Sequence, residues 1–337
     1  MRVLVTGATG FIGKRLVKKL REQNKQVKCL VRPTSDIESL KEYSAEIIYS
    51  NGLDLPSLQH AMEGVDVVYH LAAKANPSSV IPYRIYEAAN VDVTRNVLAA
   101  AALYPQLKKV LIVSSIAATG PSRDGLPLTE TSVPAPITNY GKSKLAVEKL
   151  ALEYFKEKNV PVTIVRPPMV YGVGDKDWLG FFELISSGGL PIIGIPLPGD
   201  HKNLFDFCYV DNLVEGMILA AENIAAQGKI YFISDERPYK IEEIIQAVVT
   251  VYNRPYPKKF WPMWCAKTLA KVLDLAEKVI QLDLPFNSRM LNWMTKNYWV
   301  CDISRAKKEL GYNPKISLEA GIRRTVETMK QAGKSKQ

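Results

Sequence analysis

The chain opens on Arg2-Val3-Leu4-Val5-Thr6-Gly7-Ala8-Thr9-Gly10-Phe11-Ile12-Gly13, and the fold is read outward from that stretch. Val3-Leu4-Val5 is an uninterrupted apolar run rich in β-branched residues, as expected of a strand buried on both faces, here predicted over Arg2–Thr6. Three glycines spaced three apart follow it, and then a helical pattern over Phe11–Glu22. A strand, a glycine turn and a helix in that order begin a βαβ unit that can cradle a phosphate. Gly7 permits the tight turn, Gly10 permits close approach of a ligand, and Gly13 lets the helix pack against the sheet. The loop backbone, with Thr9, Phe11 and Ile12, brings N–H groups to a pyrophosphate at the positive end of the helix.

The same rhythm continues through the first half of the chain. Strands are predicted at 27–31, Glu46–Tyr49, 66–70, 110–114 and Val162–Arg166. Helices are predicted near 56–62, through 85–102 and over 140–158. Apolar runs separated by helices predict an α/β fold, a Rossmann-like doubly wound parallel sheet covered on both faces. After Arg166 the pair Pro167-Pro168 breaks the pattern, and residues 188–203 are rich in Gly and Pro, a loop-heavy stretch. Strands return at 205–210 and 230–233 with a helix between them, and from Tyr239 onward the pattern is mostly helical. This reading divides the chain into a nucleotide-binding domain, 1–166 plus 205–234, and a smaller, mainly helical substrate lobe, 167–204 plus 235–330. Residues 331–337 read as a disordered tail.

Composition narrows the class. Of 337 residues, 47% are apolar and 23% charged, which is ordinary for a globular protein. The first apolar strand begins at residue 3 and leaves no room for a signal peptide, and no run of 18 residues lacks charge. The four cysteines, Cys29, Cys208, Cys265 and Cys301, lie too far apart for metal-ligand spacing or a disulfide framework. A reducing cytoplasm fits best, and no metal site is expected. The net charge of +10 would attract anionic cofactors, lipid head groups or nucleic acid. Its lysines and arginines are spread along the chain without interleaved aromatics, so a nucleic-acid groove is not expected.

The cofactor type turns on the end of the second strand. An acidic residue there would bind the ribose 2′-hydroxyl of NAD, whereas Arg32 suits the 2′-phosphate of NADP. Arg32 also reads as a solvated side chain beside Pro33. NADP is therefore the preferred cofactor, with NAD as the other option. Asn51, after the third strand, is placed to reach the adenine. Leu71, Ala72 and Ala73 follow the fourth strand, and the two alanines are small enough for a cofactor to lie over the sheet edge.

Tyr140-Gly141-Lys142-Ser143-Lys144 starts a helix and carries the chemistry. Tyr140 and Lys144 are four apart and share a face. A tyrosine is a poor base near neutrality, and an ammonium beside it would favour the phenolate. Lys144 would also grip the nicotinamide ribose. Ser114-Ser115 ends the preceding strand, at the edge where doubly wound sheets bind ligands, and a serine there can polarise a carbonyl. Asn90, in the long helix after the fourth strand, is placed to hold a water that relays protons to Lys144. His70 reads as a packed core residue.

Together, Thr6 to Gly13, His70-Leu71-Ala72-Ala73, Asn90, Ser114-Ser115 and Tyr140 to Lys144 resemble the extended short-chain dehydrogenase/reductases, the NAD-dependent epimerase/dehydratase superfamily. The resemblance covers nearly the whole chain. It implies Tyr140 as general acid–base, Lys144 as its activator, Asn90 in the family's asparagine role, and Pro167 against the cofactor. It favours Ser115 over Ser114, because Ser115 stands 25 residues before Tyr140 and five before Gly120. It also implies a homodimer through helices flanking the catalytic one.

Sugar-nucleotide members of that superfamily hold their diphosphate with an asparagine two residues before a Tyr-Gly pair and an arginine before an Asp-aromatic pair. Here Met169 precedes Tyr171-Gly172, and Phe205 precedes Asp206-Phe207. A buried diphosphate without partners is costly, so an apolar substrate is expected. The chain resembles the 3β-hydroxysteroid dehydrogenase, sterol-4-carboxylate dehydrogenase and dihydroflavonol-reductase-like branch. The expected activity is alcohol–ketone interconversion on a bulky apolar substrate. A nucleotide-sugar epimerase or dehydratase, and a non-catalytic NADP-binding sensor or scaffold, are the alternatives. Within residues 260–284, Leu269, Val272, Leu273, Ala276, Val279 and Ile280 form an apolar stripe behind Trp261 and Trp264. Such a stripe suits either peripheral membrane contact or a helix packed on the substrate lobe.

Overall fold

The computed structural model describes residues 1–52, 54–75, 81–175, 178, 182, 204–256, 263–280, 288 and 298–334. The first part of the chain alternates strand and helix: β1 (Arg2–Thr6), α1 (Phe11–Glu22), β2 (Gln26–Val31), α2 (Glu38–Lys41), β3 (Glu46–Tyr49), α3 (Leu55–Met62) and β4 (Val67–His70). One long helical passage follows, built from α4 (Tyr83–Tyr86), a π-helical turn (Glu87–Asp92) and α5 (Val93–Ala101). Then come β5 (Lys109–Val113), a 3-10 turn (Ile116–Ala118), α6 (Asn139–Lys158), β6 (Val162–Arg166) and β7 (Met169–Tyr171). The rest comprises β8 (Leu204–Phe205), β9 (Phe207–Tyr209), α7 (Val210–Glu222), β10 (Ile230–Phe232), β11 (Tyr239–Lys240), α8 (Ile241–Val251), α9 (Met263–Ile280), α10 (Ser304–Leu310) and α11 (Leu318–Lys334).

Seven strands form one parallel sheet in the order β10-β6-β5-β4-β1-β2-β3. The apolar runs of the sequence are explained by burial on both faces. Val3 and Val5 of β1, with Tyr69 and Leu111, point into one core layer. Leu4, Val68, Val110 and Ile112 point into the other. The strand order reverses between β1 and β4, and their C-terminal ends open the crevice where ligands of such sheets bind.

Several details differ from the sequence reading. The stretch expected as one strand over 205–210 is two short strands that change direction at Asp206. β9 pairs in parallel with β7, and β8 pairs antiparallel with β11, so neither joins the large sheet. The break has a cause: the buried Asp206 carboxylate turns aside to accept the Cys301 N–H at 2.6 Å. The helix expected through 85–102 contains a π turn at the very residues that carry Asn90. The last helix runs on through Lys334, past the start of the expected tail, because Glu, Met, Lys and Gln keep favouring helix after Val326 is buried. The Gly- and Pro-rich stretch 188–203, and residues 335–337, lie outside the described residues. No helix among the described residues is long and apolar enough to cross a membrane.

Candidate active site

The glycine loop is built as its spacing demands. Gly7 has φ +72°, and a Cβ there would come within 2.7 Å of the Ala72 nitrogen. A Cβ on Gly13 would sit 2.1 Å from the Gly7 carbonyl oxygen, so only glycine lets α1 start this close to the turn. Gly10 is exposed and faces the open side. The first turn of α1 has no side-chain cap and no acidic residue. Its N–H groups are thus set toward anionic oxygens, and the loop fits a dinucleotide pyrophosphate. Thr9, Phe11 and Ile12 are half-buried around it. Arg32 is exposed immediately after β2, and Asn51 is exposed after β3. Leu71, Ala72 and Ala73 are half-buried at the end of β4, where the Leu71 N–H bonds the Thr6 carbonyl and the Ala72 N–H bonds the Thr6 hydroxyl.

His70 is a structural tie. Thr94 gives its hydroxyl proton to the Asn90 carbonyl (2.6 Å) and so accepts from His70 Nε2 at 2.9 Å. The other ring nitrogen, Nδ1, then accepts from the Thr6 hydroxyl at 2.7 Å. Burial pushes the imidazole down to about 3, with the Lys144 charge acting in the same direction, so it stays neutral. The chain of bonds locks β1, β4 and the π turn together at the crevice.

The catalytic helix α6 is capped by the Thr138 hydroxyl, which accepts the Gly141 N–H at 2.9 Å. A Cβ on Gly141 would come 2.3 Å from the Ala117 carbonyl oxygen. That glycine lets the start of the helix rest on the 3-10 turn that follows Ser115, which brings Tyr140 beside the serine. The Ser115 hydroxyl accepts the Ala117 N–H at 3.1 Å and lies near the Tyr140 hydroxyl. Ser114, by contrast, is buried and gives its proton to Glu148 at 2.5 Å. Geometry therefore separates the two serines: Ser115 faces the tyrosine, and Ser114 braces the strand end. Pro167 is buried behind them, and its carbonyl accepts the Ile116 N–H.

Two residues of this constellation have partners that spacing did not announce. Burial pushes the Tyr140 hydroxyl up to about 12; the nearby Ser115 hydroxyl opposes that rise and the neighbouring Tyr86 adds to it. The Lys144 ammonium donates to the last carbonyl of β5, Val113 O, at 2.6 Å. Burial lowers Lys144 to about 8, while Glu148 holds it up. The second is Asn90, expected to hold a relay water. Its amide is committed: Oδ1 accepts the Lys74 N–H at 2.7 Å, and Nδ2 donates to Ser143 Oγ at 2.9 Å and to Lys74 O at 3.3 Å. Ser143 passes its own proton to the Tyr140 carbonyl at 2.7 Å. Asn90 thus ties the loop after β4 to the catalytic helix and positions both. The π turn aims it there, since one extra residue per turn rotates the side chain out of the α-helical register.

A further set of residues escaped the sequence reading. Glu148, one turn beyond Lys144 on the same helix, takes a bidentate ion pair from Arg166 at the end of β6, Nε at 2.9 Å and Nη2 at 2.7 Å. Their side chains are only 2% and 3% exposed. Its spacing, four residues after Lys144, was the available signal. Among the described residues no cluster of His, Cys, Asp and Glu could hold a metal.

The comparisons with known proteins agree with this geometry. The model of the NAD dependent epimerase/dehydratase family matches residues 3–234. The UDP-glucose 4-epimerase of Vibrio cholerae is 28% identical over 98% of this chain and 96% of its own length. The decarboxylating sterol-4-alpha-carboxylate 3-dehydrogenase of Homo sapiens is 28% identical over 98% of this chain and 88% of its own. The crystal structure of UDP-glucuronic acid 4-epimerase from Bacillus cereus, in complex with UDP-glucuronic acid and NAD, is 25% identical, covers 98% of this chain and all of that one, and superposes with a TM-score of 0.75. A phosphate-ready glycine loop at the switch point of the sheet and a Ser115–Tyr140–Lys144 cluster beside it place the protein in the NAD-dependent epimerase/dehydratase family, the extended short-chain dehydrogenase/reductases.

Proposed function

We propose that the protein is an NADP-dependent oxidoreductase that interconverts an alcohol and a ketone on a bulky apolar substrate of the hydroxysteroid, sterol or flavonoid type. The observation that carries this reading is the apolar character of the two positions where a sugar diphosphate would need partners. Phe205 is buried, with Tyr239 opposite it in the β8–β11 pair and Trp299 bridged to its backbone. Met169 is half-buried on β7 against the same core. A diphosphate laid there would lose its water and gain no charged or amide partner from either position. The sterol dehydrogenase relative supports the same substrate class. Arg32, exposed at the end of β2, supports NADP.

NADP supplies or accepts the hydride when bound. Ser115 orients the substrate oxygen by hydrogen bonding, and Tyr140 exchanges its hydroxyl proton with that oxygen. Lys144 contributes charge beneath the strand end and can turn from the Val113 carbonyl to ribose hydroxyls. A nucleotide-sugar epimerase is the second reading, favoured by the Vibrio relative. A non-catalytic NADP sensor is disfavoured, because a sensor needs the glycine loop but not an assembled Ser115–Tyr140 pair.

The test is a thermal-shift titration with NADP and NAD, each with and without sterols, flavonoid-like ketones and nucleotide sugars. It is followed by hydride transfer with any ligand that raises the NADP shift. The expected outcome is an NADP shift enhanced by an apolar ketone. Tyr140→Phe should keep the NADP shift and lose hydride transfer by at least about a hundredfold. Enhancement by UDP- or dTDP-sugars alone would favour the epimerase, and full turnover by Tyr140→Phe would refute the assigned chemistry.

A further inference from the structure

Helix α9 (Met263–Ile280) has an inner and an outer face, and they differ from the division expected from periodicity. Ala270 is fully buried, and Leu269 and Leu273 pack on the core that also holds Phe205 and Phe207. Val272, expected on that stripe, points outward instead. With Trp264 (69% exposed) and Leu275 (66%), Val272 (58%) forms an exposed apolar strip at spacings that keep all three on one side of the helix. Thr268 lies between them and returns its hydroxyl proton to the Trp264 carbonyl at 2.9 Å, so it leaves no hydroxyl donor unsatisfied on the strip. Lys267 and Lys271 run along one border of the strip. Both are exposed, and neither forms an ion pair with another described residue. Asp274 is turned off this side and accepts the Ser288 N–H at 3.0 Å.

We propose that this outer face of α9 docks the protein onto an anionic lipid bilayer. An indole, two aliphatic side chains and two exposed ammonium groups match the headgroup boundary, where the ring and aliphatic groups enter and the lysines remain among lipid phosphates. A second copy of the chain is a poorer occupant. Pairing this face with itself would bring two lysine rows together with no described carboxylate on the face between them, in a chain already at +10. The inner face of the same helix packs on the core that holds Phe205, so docking would set that side of the core toward the bilayer. The proposal uses no catalytic residue and stands or falls apart from the substrate assignment.

The full chain is sedimented with vesicles of phosphatidylcholine alone, and with vesicles of phosphatidylcholine mixed equally with phosphatidylglycerol. Binding to the mixed vesicles, weaker on phosphatidylcholine and reduced by salt, is expected. Leu275→Glu and Trp264→Glu should remain in the supernatant with unchanged melting temperature and NADP thermal shift. The double variant Lys267→Gln/Lys271→Gln should bind mixed vesicles roughly thirtyfold more weakly, about fivefold per lysine. Absence of wild-type binding to mixed vesicles overturns the proposal, as does binding unaffected by Leu275→Glu. Vesicle-free, concentration-dependent dimers that Trp264→Glu dissolves would overturn it in favour of a second copy.

Discussion

Replacing Glu148 by Gln tests whether the buried bracket behind the active site holds the catalytic helix to the sheet. Glu148 accepts two bonds from Arg166 and one from Ser114, and nothing else among the described residues pairs the guanidinium. Arg166 Nη1 already lacks a hydrogen-bond partner, and the guanidinium lies 5.4 Å from the Phe232 ring centroid. Removing the carboxylate charge leaves a buried cation uncompensated, a loss of about 3–5 kcal/mol. For a chain of 337 residues the unfolding entropy near the midpoint is roughly 0.7 kcal/mol per degree, so the melting temperature should fall by about 4–7 °C. The same argument says that removing the whole bracket should cost far less. The triple variant Ser114→Ala/Glu148→Leu/Arg166→Met deletes all three polar groups together and should melt within about 2 °C of the wild type. Differential scanning fluorimetry at neutral pH reads both. A Glu148→Gln variant that melts within a degree of the wild type, or a triple variant as damaged as the sum of its single replacements, would refute the reasoning.

Two further predictions concern other buried groups. Gly13→Ala forces its Cβ toward the Gly7 carbonyl and should lower stability by about 2 kcal/mol while abolishing the NADP-induced thermal shift, whereas an unchanged shift would mean the loop does not carry the pyrophosphate. Burial raises the Asp235 carboxyl to about 7 and the Asp206 carboxyl to about 6, so both keep protons that the unfolded chain releases. Stability should therefore decline as pH rises from about 4 to about 7, with Asp235 contributing on the order of 4 kcal/mol when fully ionised. Asp235→Asn keeps the acceptor for Tyr209 N and Asn212 Nδ2 and removes the charge, so the fall in melting temperature between about pH 5 and about pH 8 should shrink markedly. Parallel melting curves for variant and wild type would contradict it.

What could be read from the sequence follows from the range of the interaction that determines it. The seven parallel strands, the glycine loop and the helix bearing Tyr140 were legible because each is set by a local period or by a steric demand on one residue. Ser115 was separable from Ser114 only by resemblance. In the structure the distinction is physical, because Glu148 binds the Ser114 hydroxyl while Ser115 lies near Tyr140. Asn90 was found but its partners were not, since Lys74 and Ser143 lie 16 and 53 residues away, and a π turn that no periodicity announced aims it at them. The Val113 partner of Lys144 was missed for a related reason. Four-residue spacing places it on the face of Tyr140, but the nearest strong acceptor for its ammonium is a strand-end carbonyl 31 residues earlier. Face and spacing say which side chains share a neighbourhood. The bonds that set their charge states depend on which backbone ends the sheet delivers there, and those come from pairings spread across the whole first half of the chain. Where a site sits at the C-terminal edge of a parallel sheet, unpaired carbonyls are always close at hand. A lysine's apparent role as activator is then decided by competition between such a carbonyl and its intended partners, so the Val113–Lys144 bond is the contact whose exchange on cofactor binding the proposed chemistry requires.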